Sequence, residues 1–390
     1  MTVATHLRAL IGASDSFGAS GSLDSGSISF TDFMRAALYA PGLGYYTAGA
    51  TKLGIGGDFV TAPEMTPFFG AALADAFAAM GAPNVLELGA GSGKLARDFL
   101  AACDGTPHYS ILEVSADLRE RQQTLLASQK VTWLDTLPDH IDGLVIANEV
   151  LDAIPCEIVR FHNDHYEQAR VVLPPLPRAP SPEGAPVHRG WDEGNERQNQ
   201  FTQTWQPLLS GPLLDAAKLR IPPIEGYTSE INLEAEALVA TLAARLTNGA
   251  LCFIDYGFPR REYYLPERST GTLACHYQQH VHFDPLILTG LQDITAHVDF
   301  TAMAEAAVDA GASVISYATQ AQFLLHAGLL KRLESYKFAG DAQRATALGA
   351  VQKLLSPAEM GELFKVLIIG KGAAVEQLAA MSAVDQCYRL

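Results

Sequence analysis

Three glycines at alternate positions, Gly89, Gly91 and Gly93, are the residues of this chain whose spacing points most directly to chemistry. They follow an apolar segment that predicts a buried strand and precede a segment that predicts a helix. Glycine has no Cβ, so the backbone can turn tightly and a ligand can approach it closely. The first N–H groups of the helix point at the same place and stabilise a carboxylate or phosphate. The pattern predicts a site for a nucleotide-type cofactor, with a purely structural turn as the alternative.

The spacing also distinguishes between cofactors. Dinucleotide-binding loops follow the pattern G-x-G-x-x-G, and here Lys94 stands where the third glycine would be. Glu87 precedes the loop, and Glu113 lies near the end of the next predicted strand, where a carboxylate can accept hydrogen bonds from both ribose hydroxyls. This arrangement resembles the pattern of class I S-adenosyl-L-methionine (SAM) methyltransferases.

The elements around the loop alternate between strand and helix, which predicts a parallel α/β sheet. The predicted strands are Asn84–Gly89, Tyr109–Val114, Val131–Leu134, Gly143–Glu149, Gly249–Gly257, Ser313–Thr319 and Phe364–Gly370. The predicted helices are Phe30–Leu38, Thr66–Met80, Ser92–Ala102, Ala116–Ser128, Ser229–Leu246, Phe300–Ala310 and Gln320–Leu355, the last broken near Gly340. Glu157 to Leu173 predicts a strand pair that turns near Asn163. Pro174–Arg197, dense in proline, glycine and charge, predicts a long loop or a disordered segment.

Composition excludes several classes of protein. The formal net charge of −16 argues against nucleic acid as the main partner, because backbone binding needs a basic surface. Acidity permits a cationic substrate, although a simple effect on solubility is the preferred explanation. No apolar run is long enough to span a bilayer, and the N-terminus predicts neither a signal peptide nor a mitochondrial presequence. The five cysteines are scattered, as expected for reduced thiols in a cytosol-like compartment.

Polar clusters follow several predicted strands, at the edge where open α/β sheets bind ligands. They are Asn148–Pro155, Asp255–Gly257 and Gln292–Phe300, together with the loop Gly57–Glu64. Isolated Asn and Asp residues usually cap helices or brace loops. So many clusters together favour a functional site.

With these clusters the chain resembles the MidA-like family of SAM-dependent methyltransferases. This family includes a mitochondrial complex I assembly factor that methylates protein arginine, and many bacterial members. The matching segments, in the family's order, are Gly42–Tyr46, Gly57–Glu64, Leu86–Gly93, Asn148–Pro155, Ser229–Asn232, Ile254–Gly257, Gly271–Leu273, Gln292–Phe300 and Leu355–Gly361. One segment differs, because residues 274–280 are more basic in many members.

The resemblance implies a class I methyltransferase fold, an α/β Rossmann-like sheet of seven strands with the final strand antiparallel. We expect an N-terminal helical extension and cofactor-covering loop over residues 1–80, and the first half of the core over residues 81–156. An inserted cover segment would occupy residues 157–228. The second half of the core, with a helical insertion, would occupy residues 229–390.

The resemblance also implies SAM as the cofactor. The glycine loop would hold its methionine part and Glu113 its ribose, with Asp58 and Thr61 closing over it. Asp135 would face the adenine, or else be an exposed loop acid. The predicted cofactor-binding residues are Asp58, Thr61, Glu87, Gly89, Ala90, Gly91, Gly93, Glu113, Asp135 and Asn148.

An arginine substrate would arrive as a protonated guanidinium, which paired carboxylates hold in a planar fork. Glu149 is the first candidate, with Asp152 or Glu230 as the second. The alternative is that Glu149 orients the methionine amino group or caps the next helix. No metal site is expected, so His276, His280 and His282 are taken as ordinary surface or core residues.

The expected partner is an arginine-containing protein, by resemblance a subunit of respiratory complex I, and no nucleic acid or membrane insertion is expected. A homodimer is one expected assembly state of the chain. The expected location is the cytoplasm of a bacterium, or the mitochondrial matrix of a eukaryotic cell. The alternatives are methylation of another protein or a small molecule, and a non-catalytic assembly factor that keeps SAM as a structural ligand. An NAD-dependent oxidoreductase is disfavoured by Lys94.

Overall fold

A computed structural model describes residues 2–16, 26–49, 60–81, 84–173 and 201–390. Asp58 and the predicted loop Pro174–Arg197 lie outside these residues. The strands are β1 (Ser27–Ser29), β2 (Val85–Leu88), β3 (Tyr109–Leu112), β4 (Val131–Leu134), β5 (Ile141–Asn148), β6 (Glu157–His162), β7 (His165–Val172), β8 (Thr202–Pro207), β9 (Thr228–Ile231), β10 (Leu246–Phe258), β11 (Ala274–Tyr277), β12 (His280–His282), β13 (Asp293–Thr295), β14 (Val298–Asp299), β15 (Ser313–Thr319) and β16 (Phe364–Lys371).

The helices are α1 (Val3–Ser16), α2 (Phe30–Tyr39), α3 (Ala62–Met65), α4 (Pro67–Ala76), α5 (Lys94–Ala102), α6 (Ala116–Leu125), α7 (Pro212–Arg220), α8 (Leu233–Arg245), α9 (Arg260–Tyr263), α10 (Phe300–Asp309), α11 (Gln320–His326), α12 (Leu329–Ser335), α13 (Asp341–Leu355) and α14 (Ala374–Gln377). Short 3₁₀ turns cover Ala78–Met80, Ala379–Val384 and Cys387–Arg389. No helix in the described ranges is both long and apolar enough to cross a membrane.

The central sheet has the strand order β15-β16-β10-β5-β2-β3-β4, and the two-residue β14 pairs with the end of β10. The neighbours from β10 to β4 are parallel, whereas β16 is antiparallel to both β10 and β15. The predicted class I sheet, with seven strands along its path and an antiparallel final strand, is therefore confirmed.

Strand β5 shows how this sheet is covered on both faces. Leu144 and Ile146 pack into one apolar core and Val145 and Ala147 into another, because successive side chains of a strand point to opposite faces. A strand that is buried on both faces reads as a continuous apolar run. This pattern leaves the carboxyl ends of the parallel strands as the place where polar side chains collect.

Two smaller sheets flank the central one. Strands β1, β7, β6 and β9 form an antiparallel sheet with β8 paired to β7, and the predicted strand pair turns at Asn163 and Asp164, which both have positive φ. Strands β12, β11 and β13 form the other. The division of the chain into four segments stays a prediction.

Two predicted helices differ from the structure. The helix expected from Ser229 begins only at Leu233, because Ser229–Ile231 pairs with β6 and the Asn232 side chain accepts the Ala235 N–H at 2.9 Å as an N-cap. The region from Gln320 is three helices rather than two, since a further break occurs at Gly328, whose φ is +84°.

Candidate functional site

A cavity of about 340 Å³ opens beyond the carboxyl ends of β2, β3 and β5. Eight residues that the sequence predicts for the site line it together, namely Thr61, Glu87, Gly89, Ala90, Gly91, Glu113, Asn148 and Glu149. They come from four separate strand ends or loops, so the fold brings together what the sequence keeps apart.

The glycine loop forms the floor of this cavity. Gly89, Gly91 and Gly93 have φ of +60°, +54° and +83°, a backbone conformation that glycine adopts without steric cost. Gly93 does not line the cavity. A Cβ there would lie 3.3 Å from Cγ of Gln122, so this glycine lets the loop pack against α6.

Gln122 is a fully buried residue that ties the glycine loop to Glu113. Its Nε2 donates to the Gly91 carbonyl at 2.9 Å and to Glu113 Oε2 at 3.0 Å. Its Oε1 accepts from Trp133 Nε1 at 3.0 Å. Sequence analysis missed this residue, although it lies four positions after the buried Leu118, on the inner face of α6.

Glu113 directly follows β3. It accepts the Ser115 N–H at 2.9 Å in addition to the Gln122 amide. Burial raises its pKa, and these hydrogen bonds oppose the rise. The carboxylate is thus held in one orientation at the cavity wall, ready to accept hydroxyl donors.

Among the described residues that line this cavity there is no lysine or arginine, whereas Glu64, Glu87, Glu113 and Glu149 all line it. Burial raises the pKa of Glu87 to about 8, and its hydrogen bond from Tyr109 opposes the rise. Glu64 pairs with Lys94, whereas Glu87 and Glu149 have no basic partner among the described lining residues. Carboxylates of this kind favour a cationic ligand and repel phosphate. SAM, with a sulfonium and an ammonium group, fits this lining better than a dinucleotide does.

The segment around α3 closes one side of the cavity. Glu64 accepts hydrogen bonds from the Ser92 hydroxyl and, at 2.6 Å, from Lys94 Nζ. The Ala62 N–H donates to Glu149. Thr61 lines the cavity, and the expectation that Asp58 and Thr61 close over the cofactor stays a prediction.

A second cavity, of about 320 Å³, adjoins the first. Tyr46 and Glu149 line both cavities. Two further acids, Asp152 and Asp293, line the second together with the aromatic side chains of Tyr46, Tyr256, His276, His297 and Phe364. An aromatic cavity with three carboxylates suits a planar cation.

Asp255 holds the turn that carries Glu149 and Asp152. Its Oδ2 accepts the N–H groups of Val150, Leu151 and Asp152 at 3.2, 3.0 and 3.3 Å. Glu149 has φ of +53°, an unusual conformation for a residue with a side chain. Such strain persists only where the surrounding structure holds it, and the three bonds to Asp255 do so here.

The acids of the second cavity have strongly shifted pKa values. Burial raises the pKa of Glu149 to about 8, with a further contribution from Asp152. Burial also raises the pKa of Asp152 to about 6, opposed by its hydrogen bond with Tyr256. In the described lining there is no basic Lys or Arg side chain. A bound cation would lower these pKa values and favour the charged forms.

Two stacked tyrosines stand where the cavities meet. Tyr39 and Tyr46 have ring centroids 5.4 Å apart with planes inclined by 20°. The Tyr46 hydroxyl donates to both oxygens of Asp293, at 2.9 and 3.0 Å, and the Tyr39 hydroxyl donates to the Ala153 carbonyl at 3.0 Å. Neither Tyr46 nor Asp293 was selected from the sequence, although both lie within segments that resemble the family.

Two predicted site residues lie elsewhere. Glu230 lines neither cavity, and its carboxylate accepts the N–H groups of Thr272 and Leu273 and the hydroxyls of Thr272 and Tyr263. It braces the loop 271–273, and its role as a site residue stays a prediction. Asp135 is exposed and pairs with Arg119 at 2.6 Å, and both alternatives for it, a contact with the adenine and a loop acid, stay predictions.

Comparisons with known proteins agree with this geometry. Residues 68–318 match the family model described as "Putative S-adenosyl-L-methionine-dependent methyltransferase". The mitochondrial protein arginine methyltransferase NDUFAF7 of Danio rerio is 26% identical over 407 residues, covering 93% of this chain and 88% of that protein. Its Drosophila melanogaster homolog is 27% identical over 396 residues, covering 91% and 84%. A Burkholderia thailandensis protein, crystallised with S-adenosyl-homocysteine, is 38% identical with a TM-score of 0.84, covering 100% of this chain and 96% of that one.

Proposed function

This chain belongs to the MidA-like family of SAM-dependent methyltransferases, and from this membership we propose that it methylates an arginine side chain of a partner protein. SAM supplies a methyl group bound to a positively charged sulfur. The observation that carries the proposal is the second, acidic cavity, which meets the cofactor cavity at Glu149. The relatives named as protein arginine methyltransferases support the same substrate class.

The cofactor would occupy the first cavity. The backbone of Gly89 and Gly91 leaves room for the methionine part, and Glu113 accepts the ribose hydroxyls. Glu87 and Glu149 offset the positive charges of the ligand. The methyl group would then face the junction at Tyr46 and Glu149, which line both cavities.

The target guanidinium would occupy the second cavity. Glu149 and Asp152 bind its N–H groups as charge-assisted acceptors, and the rings of Tyr46 and Tyr256 contact its planar face. Transfer needs the attacking nitrogen at about 3–3.5 Å from the methyl carbon. As the N–C bond forms and the S–C bond breaks, the nitrogen releases a proton. Glu149 or Asp152, whose pKa values burial raises, accepts that proton.

Glu149→Gln tests this function because it keeps the side-chain shape and removes the charge. The wild type and the variant would be incubated with tritiated SAM and an extract from a strain that lacks this protein. We expect labelling to fall by on the order of a hundredfold, since a charge-assisted contact is worth about 1.5–3 kcal/mol. SAM affinity, measured by calorimetry, should change little. Amino-acid analysis of the labelled protein should yield methylarginine.

Glu376→Gln is the matched control, because Glu376 is an exposed acid outside both cavities. It should label the extract as the wild type does. If the label is found on a different residue or on a small molecule, that group and not arginine is the substrate. If Glu149→Gln abolishes SAM binding, Glu149 serves the cofactor and the arginine site loses its main support.

The location and assembly state are part of the same proposal. We propose a bacterial cytoplasm or a mitochondrial matrix as the place of action, since several relatives are named as mitochondrial. The partner would be a subunit of a respiratory complex, as the family resemblance implies. A homodimer is proposed as the assembly state, and light scattering on the purified chain decides it.

A further inference from the structure

One wall of the second cavity continues past the cavity mouth. This wall is one face of the sheet β12-β11-β13. His276 on β11 lies opposite Asp293 on β13 and opposite Val281 on β12. Directly opposite residues of an antiparallel pair carry their side chains on the same face. Because His276 and Asp293 line the cavity, Val281 lies on the face that forms its wall.

The outer part of this wall is apolar and exposed. Val281 is 56% exposed, and Phe283, just after β12, is 76% exposed. At the cavity mouth, Val60 and Leu363 are each 39% exposed. Exposed apolar groups that continue from a binding cavity mark a surface for a partner. We call Val281 and Phe283 the hairpin patch, after the turn that joins β11 to β12.

We propose that the hairpin patch docks the segment of the substrate protein that carries the target arginine. This inference rests on the proposed function and adds how the substrate is recognised. The carboxylates of Glu149, Asp152 and Asp293 take the cationic side chain. The hairpin patch takes an apolar side chain of the same segment, which removes both partners' apolar surfaces from water.

The spacing of the strands indicates how long a substrate segment must be to reach from the cavity to the hairpin patch. Asp293 and Val281 stand on strands that are both neighbours of β11, so about 10 Å separates them, twice the usual spacing of about 4.8 Å. An extended chain rises about 3.3 Å per residue. An extended substrate segment that crosses these strands therefore needs about three residues to span from Asp293 to Val281.

The same charges argue against a second copy of this chain as the occupant. A copy with a net charge of −16 would approach a cavity lined by Glu149, Asp152 and Asp293, and like charges disfavour that encounter. A segment with a cationic side chain is attracted instead. Continuity with the acidic cavity thus selects the substrate protein as the partner.

The test compares Val281→Ser and Phe283→Ser with the wild type, using tritiated SAM and extract from a strain that lacks this protein. Each variant should raise the extract concentration needed for half-maximal labelling about tenfold, the size expected for truncating a central apolar contact. SAM affinity and the midpoint of thermal unfolding should match the wild type. Leu209→Ser is the matched control, because Leu209 is 87% exposed and lines neither cavity; it should change nothing.

Two results would overturn the docking surface. Labelling by both variants at wild-type concentrations would show that the patch makes no contact, and a loss of SAM affinity would show that it supports the fold instead. The two proposals fail separately. Label on a residue other than arginine, with Phe283→Ser still impaired, refutes the arginine site and keeps the docking surface. If all variants form methylarginine equally well, the docking surface is refuted and the arginine site is kept.

Discussion

A single amide, that of Gln122, connects both halves of the cofactor cavity, the glycine loop and Glu113. Gln122→Leu keeps a side chain of similar size but loses these two hydrogen bonds and the one from Trp133. We expect SAM affinity to fall by roughly tenfold, since each bond contributes about 0.5–1.5 kcal/mol. Calorimetry on the folded variant measures this. Gln123→Leu, at the exposed neighbouring position, should bind SAM as the wild type does, and equal affinity in both variants would refute the role of Gln122.

At this scale the sequence predicts residues whose spacing is local. Gly89 and Gly91 can be predicted from the sequence because a strand, a turn and a helix follow one another within a few positions. Tyr46 and Asp293 cannot be predicted in this way, since their hydrogen bond joins positions 247 apart and leaves no local pattern. Glu230 is predicted because it lies in a segment that resembles the family, and its hydrogen bonds from Thr272 and Tyr263 are contacts that the sequence does not reveal.

The turn after β5 is an element held by one buried side chain, Asp255. Asp255→Ala leaves the N–H groups of Val150, Leu151 and Asp152 without their acceptor, which costs about 1–3 kcal/mol for a buried group. We therefore expect a lower free energy of unfolding in urea and a larger loss in methyl transfer than in SAM affinity, because Glu149 and Asp152 lose their fixed positions. Asp139→Ala, at an exposed position before β5, is the control. Wild-type transfer by Asp255→Ala would contradict this account.

Helices and strands with a clear period in their apolar residues can be predicted from the sequence. The residues at which they begin and end are predicted less accurately. The core strand Ser313–Thr319 agrees with β15 residue for residue, because an apolar run bounded by polar residues marks both ends. The start of α8 was misplaced because Ser229–Ile231 takes its conformation from pairing with β6, a contact that local propensity cannot reveal. The sheet β12-β11-β13 was not predicted, since its strands are only three or four residues long.

The whole molecule should lose stability as the pH rises in the absence of ligand. Burial raises the pKa values of Glu87 and Glu149 from 4.5 to about 8, so between these pH values the folded state binds more protons than the unfolded state. The stabilisation is complete below pH 4.5 and is lost as the pH approaches 8, at up to about 1.4 kcal/mol per pH unit for each group. Denaturant unfolding from pH 5 to 8 measures the slope.

Glu149→Gln should flatten this slope, because it removes one of the buried carboxyl groups whose pKa the fold raises. Glu359→Gln, at an exposed position, should leave it unchanged. A slope that is the same in all three proteins would mean that Glu149 ionises normally in the folded chain.

The bond from Tyr46 to Asp293 spans 247 positions, and Glu149 stands between them in the chain. The junction of the two cavities therefore closes a very long loop, whose entropy must be overcome before the contact forms. The glycine loop, Glu113 and Gln122 lie within 34 positions of one another and need no such closure. A growing chain can thus bring the glycine loop, Glu113 and Gln122 together well before the partner cavity exists. Competence for transfer is a property of the finished chain, which keeps incomplete copies from acting on a partner.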